Sequence, residues 1–503
     1  MSFSRIVIVL GVGLLAGVVL ALEFTHPFRY LAPDSFTYFT MARQVYDSGL
    51  LFSYSGVDHT TGIHPGFYFF LIPFYPLFML ALPAWTFVLG AIVLAYSMFL
   101  LYRAFGATVA SVVALLMLTP YGVSLTNNGM ESSLVVFGLS LFAYYVTRCA
   151  LSLTRKQALI LGCLFGLIVF VRLDLIFVVM SFYMLYALSH GIAGGWNKET
   201  LKRVVRDLSF VSLSFGAIFF ATLLLYIAYG GSPIPISGAL KSSFPHLSSE
   251  WMLNLFRLKI FVASGVLVGG YLLSNYLRHR PFEIFVPTLF FASLALYFYN
   301  ALFASGMGAW YGTLPFFAAT LVAGLLLREI KPTRTLIAVP AFVLLLVFYI
   351  AHSHFTLSRE DWVTPHRDAA AYLDEYASEG DAALGSQEPL AKAALGKPKP
   401  MAKAAGELKD GVFAFYSKMP VYSLTGLANN REYIDAVRDG KIENYFEKKH
   451  IAYVVGGSFY SGVQVSGYEE LFIRDCKEPF YDTGIVKIFH TADCLPQSPG
   501  GVD

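Results

Sequence analysis

The chain has 503 residues, of which 56% are hydrophobic and only 14% are charged. A soluble protein of this size carries about 25% charged residues, so the composition excludes a protein that only water surrounds. The net charge is +3, and so small an excess gives no support to a nucleic-acid partner.

Apolar segments long enough to cross a hydrocarbon core of ~30 Å as helices recur from Ile6 to Ala351. The first of them resembles a signal peptide, but no small-residue cleavage site precedes Glu23, so we expect a retained helix. Residues after His352 have ordinary globular composition. The sequence therefore predicts a transmembrane domain at 1–352 and a second domain at 353–503, called the tail below.

Ten segments are predicted to cross the membrane, and they are 6–22, 107–121, 132–149, 158–171, 175–190, 208–229, 260–277, 282–303, 312–327 and 336–351. Residues 65–102 are ambiguous, because they can hold two membrane helices broken near Pro83 or one interfacial helix followed by one crossing. With one crossing at 85–102, the basic clusters collect on the cytoplasmic side, as the positive-inside rule requires. We therefore predict an interfacial helix at 65–82 and about eleven transmembrane helices.

With this number of crossings, several polar segments lie together on the extracytoplasmic side. They are the first loop (23–64), the turns at 127–131 and 172–174, the loops at 230–257 and 305–311, and the tail. The candidate site residues come from these segments.

Asp34 lies near the start of the first loop. A carboxylate held at the membrane surface can take the proton from an acceptor hydroxyl while that oxygen attacks the anomeric carbon of a sugar. The alternative is that Asp34 only caps the helix that follows it. Both roles are compatible with the sequence.

His59 and His64 close the same loop, next to Asp58. Imidazole and carboxylate groups can ligate a divalent metal, but the spacing matches no recognised metal pattern. We therefore expect no metal, and we interpret the histidines as hydrogen-bonding groups for a phosphate or a sugar.

Glu131 and the pair Arg172 and Asp174 are charged residues between otherwise apolar helices. Charge at that depth is costly unless it is paired or functional. Glu131 is a candidate ligand for sugar hydroxyls, or it complements a helix N-terminus. Arg172 is a candidate phosphate ligand, and the alternative is that Arg172 simply pairs with Asp174 or with Glu131.

Lys241 is the only Lys or Arg between Arg206 and Arg257, and hydroxyl side chains stand beside it. Lysine commonly binds phosphate as a point charge, although a surface lysine can also snorkel. Trp310 and Tyr311 end the next extracytoplasmic loop, either as membrane-belt aromatics or as a platform for a sugar ring or prenyl chain.

The tail alternates short apolar strands with helices, which predicts a small α/β domain. Strands are predicted at 381–385, 421–424, 451–455 and 485–489, and helices at 365–376, 431–438 and 443–449. No nucleotide-binding loop is present. Cys476 and Cys494 can pair if the tail lies outside the cytoplasm. We expect the tail to contact the acceptor or to shield the site.

In order and in sidedness, these motifs resemble those of the GT-C glycosyltransferases, and more closely those of bacterial arabinofuranosyltransferases of the cell-wall and type IV pilin branch. The matching positions are Asp34 and Tyr38; Thr60 or Thr61 with Gly62, His64 and Pro65; 128–131; 172–174; 235–242; Trp310 and Tyr311; and Leu424, Gly426, Leu427 and Asn429. The resemblance implies that Asp34 is the general base. It also implies a polyprenyl-phosphate sugar as donor.

The donor-binding candidates are Tyr38, His59, His64, Glu131, Arg172, Asp174, Lys241, Trp310 and Tyr311. One departure from the family pattern is Ser35, which stands where many members carry a second acidic residue, so a bridging metal is not expected. The resemblance further implies a bacterial inner-membrane enzyme that acts outside the cytoplasm on a hydroxyl of a glycan or of a protein such as pilin.

Two other functions compete with this interpretation. A transporter that flips a lipid-linked sugar would place polar residues near the midplane and show internal repeats, whereas here the polar residues are one-sided. A surface-assembly scaffold with a binding tail would not need Asp34, Arg172 or Lys241 for any transfer.

Overall fold

The computed structural model describes residues 30–149, 153–233, 235, 244–248, 251–252, 259–278, 283–303, 309–329, 363–387, 403–406, 410–423, 431–439, 441–457, 463–464, 472–473, 479, 481–482 and 486–490. The predicted spans at 6–22 and 336–351 lie outside these residues, as do Lys241, Cys476 and Cys494.

Thirteen α-helices precede the tail in the described residues. They are α1 (Ser35–Asp47), α2 (Pro65–Leu71), α3 (Tyr75–Phe78), α4 (Leu82–Phe105), α5 (Ala107–Met117), α6 (Pro120–Thr126), α7 (Ser132–Val146), α8 (Arg155–Val171), α9 (Ile176–Gly194), α10 (Lys198–Gly230), α11 (Lys259–Leu277), α12 (Phe285–Phe303) and α13 (Thr313–Glu329).

Five segments of the described chain are long and apolar enough to cross a membrane, which indicates a multi-pass membrane protein. They are Pro65–Phe105, Leu173–Ile192, Lys198–Gly230, Ile260–Leu277 and Phe285–Phe303. The number of eleven crossings stays a prediction.

The predicted interfacial helix at 65–82 is not one helix, and this part of the prediction is wrong. Helices α2 and α3 alternate with the 3-10 helices Ile72–Phe74 and Met79–Ala81. Pro73 and Pro76 lack a backbone N–H and so start new short helices, and Met79 has a φ of 44°. Each piece is too short to cross, whereas the 24-residue α4 is long enough. The segment's place at the membrane surface stays a prediction.

The predicted span at 107–121 is also interrupted. Helix α5 ends at Met117, shortly before Pro120. The residue before a proline disfavours helical dihedrals. Thr119 then caps α6, and its hydroxyl accepts the Gly122 N–H at 3.0 Å. Other helices are longer than their apolar part: α10 continues back to Lys198 through residues that are charged.

The helices pack through aromatic rings and close glycine contacts. Phe142 lies 5.1 Å from both Phe165 and Phe285, measured between ring centroids. Gly162 of α8 faces α10 so closely that a Cβ there would meet the carbonyl oxygen of Val211 at 2.1 Å. Small residues at such crossings let helix backbones approach.

The tail contains helices α14 (Val363–Gln387), α15 (Asp410–Tyr416), α16 (Arg431–Arg438) and α17 (Ile442–Lys449). Its strands are β1 (Lys403–Gly406), β2 (Val421–Ser423), β3 (Ile451–Gly457), β4 (Val463–Gln464), β5 (Phe472–Ile473), β6 (Tyr481–Asp482) and β7 (Val486–His490). One sheet has the order β2-β1-β3-β7-β6, and β4 pairs with β5. Strand β1 is parallel to β2 and β3, and β7 is antiparallel to β3 and β6.

Three of the four predicted strands are present as β2, β3 and β7, and the helices predicted at 431–438 and 443–449 are present as α16 and α17. The strand predicted at 381–385 is wrong, because α14 continues through it to Gln387. Ala382, Ala383 and Leu384 are strong helix formers, and they extend the helix past Tyr376. That 353–503 is a separate extracytoplasmic domain stays a prediction.

One apolar cluster joins the first loop to the tail. The rings of Phe36 and Phe39 on α1 lie 5.9 and 6.1 Å from the ring of Phe415 on α15. Phe67 of α2 and Val455 of β3 belong to the same buried cluster. The first loop is therefore packed between the membrane helices and the tail.

Candidate functional site

The start of α1 is tied to the turn at 127–131. The Ala32 N–H donates to the Asn128 carbonyl at 2.9 Å. Gly129 has a φ of +75°, and a Cβ there would meet Leu31 Cδ2 at 2.1 Å. Glycine is therefore required for the turn to approach α1 this closely.

Asp34 occupies the N-cap position of α1, but its side chain makes no capping hydrogen bond. The alternative that its carboxylate caps the helix is therefore wrong. Asp34 is half-buried. Its charge acts on Tyr311, which is distant in sequence.

Glu131 lies at the centre of the polar residues. Its side chain is 1% exposed. The Tyr38 hydroxyl donates to Oε2 at 3.1 Å, and Arg172 Nη1 lies 3.6 Å from Oε1. His64 Nε2 lies 4.0 Å from the same Oε1. Three candidates from three separate segments thus meet at one carboxylate.

Arg172 makes a forked pair with Asp174. Its Nε lies 2.9 Å from Asp174 Oδ1, and its Nη2 donates to Oδ2 at 3.0 Å. Burial alone would lower the pKa of Arg172, but the charges of Asp174 and Glu131 raise it above its ordinary value. The guanidinium carbon lies 4.7 Å from the centre of the Tyr311 ring, which adds a cation–π contact.

Tyr311 connects Asp34 to this group. It lies in the 3-10 helix Ala309–Gly312, and burial raises its pKa to about 12. The Arg172 charge lowers that pKa, whereas the carboxylates of Asp174, Glu131 and Asp34 raise it. The backbone of Trp310 lies in the same short helix, but its side chain is outside the described part.

The end of the first loop lies against the end of α8. The His64 N–H donates to the Tyr38 hydroxyl at 3.2 Å. Two residues later, a Cβ on Gly66 would meet Val171 Cα at 2.6 Å. This close approach brings His64 beside Arg172. Burial and the Glu131 charge raise the pKa of Tyr38 well above 10.0, so its hydroxyl stays protonated and can donate.

The structure thus assembles most of the predicted site residues, which we call the polar cluster: Asp34, Tyr38, His64, Glu131, Arg172, Asp174 and Tyr311. Glu131 and Asp174 pair with Arg172, Glu131 also lies 4.0 Å from His64, and the Asp34 charge acts on Tyr311. The Arg172 charge is shared between two of those carboxylates. Arg172 therefore orders the cluster and is not an isolated cation.

His59 lies elsewhere. It is exposed, its Nδ1 lies 2.8 Å from the Leu51 carbonyl oxygen, and its ring lies 5.2 Å from the ring of Tyr229. Asp58 instead pairs with Lys449 of the tail at 2.9 Å. In the residues that the structure describes, no group of three His, Cys, Asp or Glu side chains is placed to hold a metal ion.

Two further side chains were not predicted, one beside the first loop and one where α1 meets the tail. The Tyr226 hydroxyl donates to the Ile63 carbonyl at 3.3 Å, and Arg43 of α1 is buried with 8% exposure. The sequence could have indicated Arg43, because it is the only charged residue between Asp34 and Asp47.

No protein-family model and no curated protein sequence matches the chain. Two solved structures of ArnT from Cupriavidus metallidurans match it in fold. The one bound to undecaprenyl phosphate has a TM-score of 0.58 at 13% identity, over 97% of this chain and 99% of that chain. The apo structure has a TM-score of 0.55 at 12% identity, over 97% and 100%.

The archaeal oligosaccharyltransferase AglB from Archaeoglobus fulgidus, in complex with an inhibitory peptide and a dolichol-phosphate, has a TM-score of 0.48 at 12% identity over 92% of this chain and 70% of that chain. The similarity to ArnT, a GT-C glycosyltransferase, extends over nearly the whole chain. This chain therefore shares the fold of ArnT, which agrees with the helical membrane architecture that its motifs predicted.

Proposed function

We propose that this protein is a membrane glycosyltransferase that moves a monosaccharide from a polyprenyl phosphate to an acceptor hydroxyl. One observation carries the proposal. On the fold of ArnT, which has been solved with undecaprenyl phosphate bound, residues from four separate segments of this chain form one buried polar cluster. Buried charge of this kind is costly unless it is paired or functional, and here one arginine is shared between two carboxylates.

Asp34 is the base in the proposed reaction. Its carboxylate takes the proton of the acceptor hydroxyl while the acceptor oxygen forms a bond to the anomeric carbon. The bond from that carbon to the phosphate oxygen breaks, and the polyprenyl phosphate leaves with the electron pair. Asp34 suits this role because it is half-buried and its charge acts on Tyr311 of the polar cluster.

The reaction changes the charge at two places, and other residues stabilise each change. The departing phosphate becomes more negative, and we assign its stabilisation to His64 and Lys241. The anomeric carbon becomes more positive, and the excess of carboxylates over cations in the polar cluster favours that change. Arg172 pairs with both Asp174 and Glu131 and so keeps these two carboxylates in place.

The finer assignments follow from the sequence motifs. We propose arabinofuranose as the sugar, and a glycan or a protein such as pilin as the acceptor. The reaction takes place on the extracytoplasmic face of a bacterial inner membrane, with the tail on the same side. The roles of Tyr38, Trp310 and Tyr311 in donor binding belong to the same proposal.

The test uses the purified full chain in nanodiscs with a synthetic polyprenyl-phosphate arabinofuranose. The Asp34→Asn variant is expected to lose transfer by about 100-fold or more, while donor affinity stays within about twofold of wild type. The matched control is Asp368→Asn, because Asp368 is an exposed carboxylate of the tail. Turnover by Asp34→Asn at the wild-type rate would remove Asp34 from its role.

The same preparation separates the enzyme from a flippase. Proteoliposomes with donor in one leaflet and no acceptor are expected to keep the donor in that leaflet. Movement of donor between leaflets by wild type and by Asp34→Asn alike would favour a transporter. A panel of polyprenyl-phosphate sugars then identifies the donor, and turnover of a hexose donor over the pentose would overturn the arabinose assignment.

A further inference from the structure

Arg43 connects the first loop to the tail through the end of a helix. Its Nη1 donates to the Phe415 carbonyl at 2.6 Å, and its Nη2 donates to the Ser417 carbonyl at 2.8 Å. The Ala414 carbonyl accepts a longer bond from Nη1 at 3.4 Å. The last carbonyls of a helix have no partner inside it, and they favour a positive charge. Arg43 supplies both the donors and the charge.

The Arg43 guanidinium also pairs with a residue of its own helix. Its Nε lies 2.8 Å from Asp47 Oδ2, four residues further along α1. The guanidinium is therefore fixed in direction as well as buried. Its planar array of donors can reach several acceptors at once, whereas a lysine would reach fewer.

Aromatic packing joins the same two helices. Phe36 and Phe39 contact Phe415 edge to face, and Phe36 also lies 6.5 Å from the Tyr416 ring. These rings are on the side of α1 that meets α15. The tail thus holds α1 by an apolar contact and by the Arg43 fork together.

The other side of α1 contacts the polar cluster. Tyr38 donates to Glu131 and packs against the Phe67 ring at 5.1 Å. Asp34 immediately precedes the first residue of the helix. A 13-residue helix is a rigid rod of about 20 Å, so a shift at Arg43 moves Asp34 as well.

A second contact fixes the remainder of the first loop against the tail. Lys449 lies 2.9 Å from Asp58 and 3.0 Å from Glu432. Burial lowers the pKa of Lys449, but its bonds to these two carboxylates outweigh burial and raise it above its ordinary value. Lys449 therefore stays charged, and the first loop is held to the tail at two separate places.

We propose that the tail is part of the active-site assembly, and that Arg43 is a positioning residue which sets the place of Asp34 through α1. This inference rests on the proposed function, because it assigns a catalytic consequence to the contact. The tail then acts by fixing the base, in addition to any contact with the acceptor.

The test compares Arg43→Lys and Arg43→Ala with the control Arg367→Ala, which removes an exposed arginine of the tail that pairs with Asp368. For Arg43→Lys we expect kcat to fall by roughly ten- to 100-fold, because a small displacement of a catalytic group has effects of that size. The donor KM is expected to stay within about twofold, because Arg43 bonds to tail carbonyls and to Asp47 and not to His64 or Tyr311.

Hydrogen–deuterium exchange gives a second measure. Exchange in residues 35–47 is expected to rise in both Arg43 variants and to stay at the wild-type level in Arg367→Ala. If Arg43→Ala does not fold, Phe415→Leu replaces it, because this change weakens the contact with Phe36 and Phe39 and keeps the Arg43 bonds.

The outcomes separate the two proposals. If the wild-type protein transfers no sugar, the proposed function is overturned. Transfer by wild type and by Arg43→Lys at equal kcat, with exchange raised in residues 35–47, would overturn only the positioning role. A lower kcat with an unchanged donor KM and an acidic limb of the pH–rate profile that shifts relative to wild type would support it, since loss of folded protein alone would leave that profile unmoved.

Discussion

The Tyr38 hydroxyl donates a hydrogen bond of 3.1 Å to Glu131 Oε2 across 93 positions of sequence. The same hydroxyl accepts the backbone N–H of His64 at 3.2 Å. Tyr38 therefore joins α1, the end of the first loop and the turn before α7. Its burial makes each bond costly to lose.

Replacing Tyr38 with Phe removes both of these hydrogen bonds and leaves the ring in place. We expect the free energy of unfolding to fall by about 1–2 kcal/mol and transfer to fall by roughly tenfold. Thermal unfolding in detergent and a donor turnover assay measure the two effects. Tyr46→Phe is the control, because its hydroxyl bonds to the Ile72 carbonyl from an exposed position; an equal loss in both variants would contradict the role of Tyr38.

Glu131→Gln keeps the shape of the side chain but removes the charge that faces Arg172 and His64. We expect a loss of stability of about 1–3 kcal/mol, because the buried Arg172 loses one of its two carboxylate partners. Together with Tyr38→Phe it forms a double-mutant cycle measured by thermal unfolding. The double variant is expected to cost less than the sum of the single variants, and simple additivity would show that the charge of Glu131 does not strengthen the hydrogen bond from Tyr38.

Gly66→Ala tests the contact between the first loop and α8. The added Cβ would lie 2.6 Å from Val171 Cα and 2.9 Å from Val171 N, which are backbone atoms that cannot move aside. We expect lower stability and transfer reduced by roughly tenfold or more, because His64 moves away from Glu131. Gly216→Ala in α10 is the matched control, since nothing lies within 4 Å of its Cβ position. Full activity of Gly66→Ala would show that the close approach is not needed.

Tyr311 gives a pH-dependent effect. Its pKa is raised from 10.0 to about 12 by burial and by the neighbouring carboxylates. The folded state therefore holds the proton more tightly than the unfolded state. This contribution to stability is complete below pH 10 and is lost as the pH rises from 10 to 12.

Between pH 9 and pH 11, wild type is therefore expected to lose about 1 kcal/mol of stability that Tyr311→Phe keeps. The measurement is the thermal midpoint of both proteins at the two pH values, because the many other tyrosines titrate alike in both. Parallel losses in the two proteins would contradict the raised pKa.

The sequence predicted most of the side chains that meet in the polar cluster, but not all of their bonds. Arg172 and Asp174 are two residues apart, so their pairing followed from local spacing and the cost of buried charge. Tyr38 and Glu131 could be placed on the same side of the membrane by counting helices. Their hydrogen bond depends on helix packing, which periodicity does not determine.

The errors have physical causes. His59 and His64 are five residues apart and appeared equivalent in sequence, but an isolated bridge between Ser53 and His59 turns His59 toward Leu51. The segment at 65–82 is apolar throughout, and hydropathy does not register that Pro73 and Pro76 divide it. Arg43 was not selected because its partners outside α1 are backbone carbonyls, which any sequence supplies.

The carbonyls that Arg43 binds belong to residues 414, 415 and 417, which follow all the described membrane helices in the chain. During biosynthesis the helices can insert as they emerge from the ribosome, whereas α1 must wait for more than 360 residues to receive its last partner. On the proposed positioning role, the base is therefore not fixed until these late segments fold back. Chains cut short before residue 414 would lack all three carbonyls, and on the proposed positioning role Asp34 would lose its fixed position.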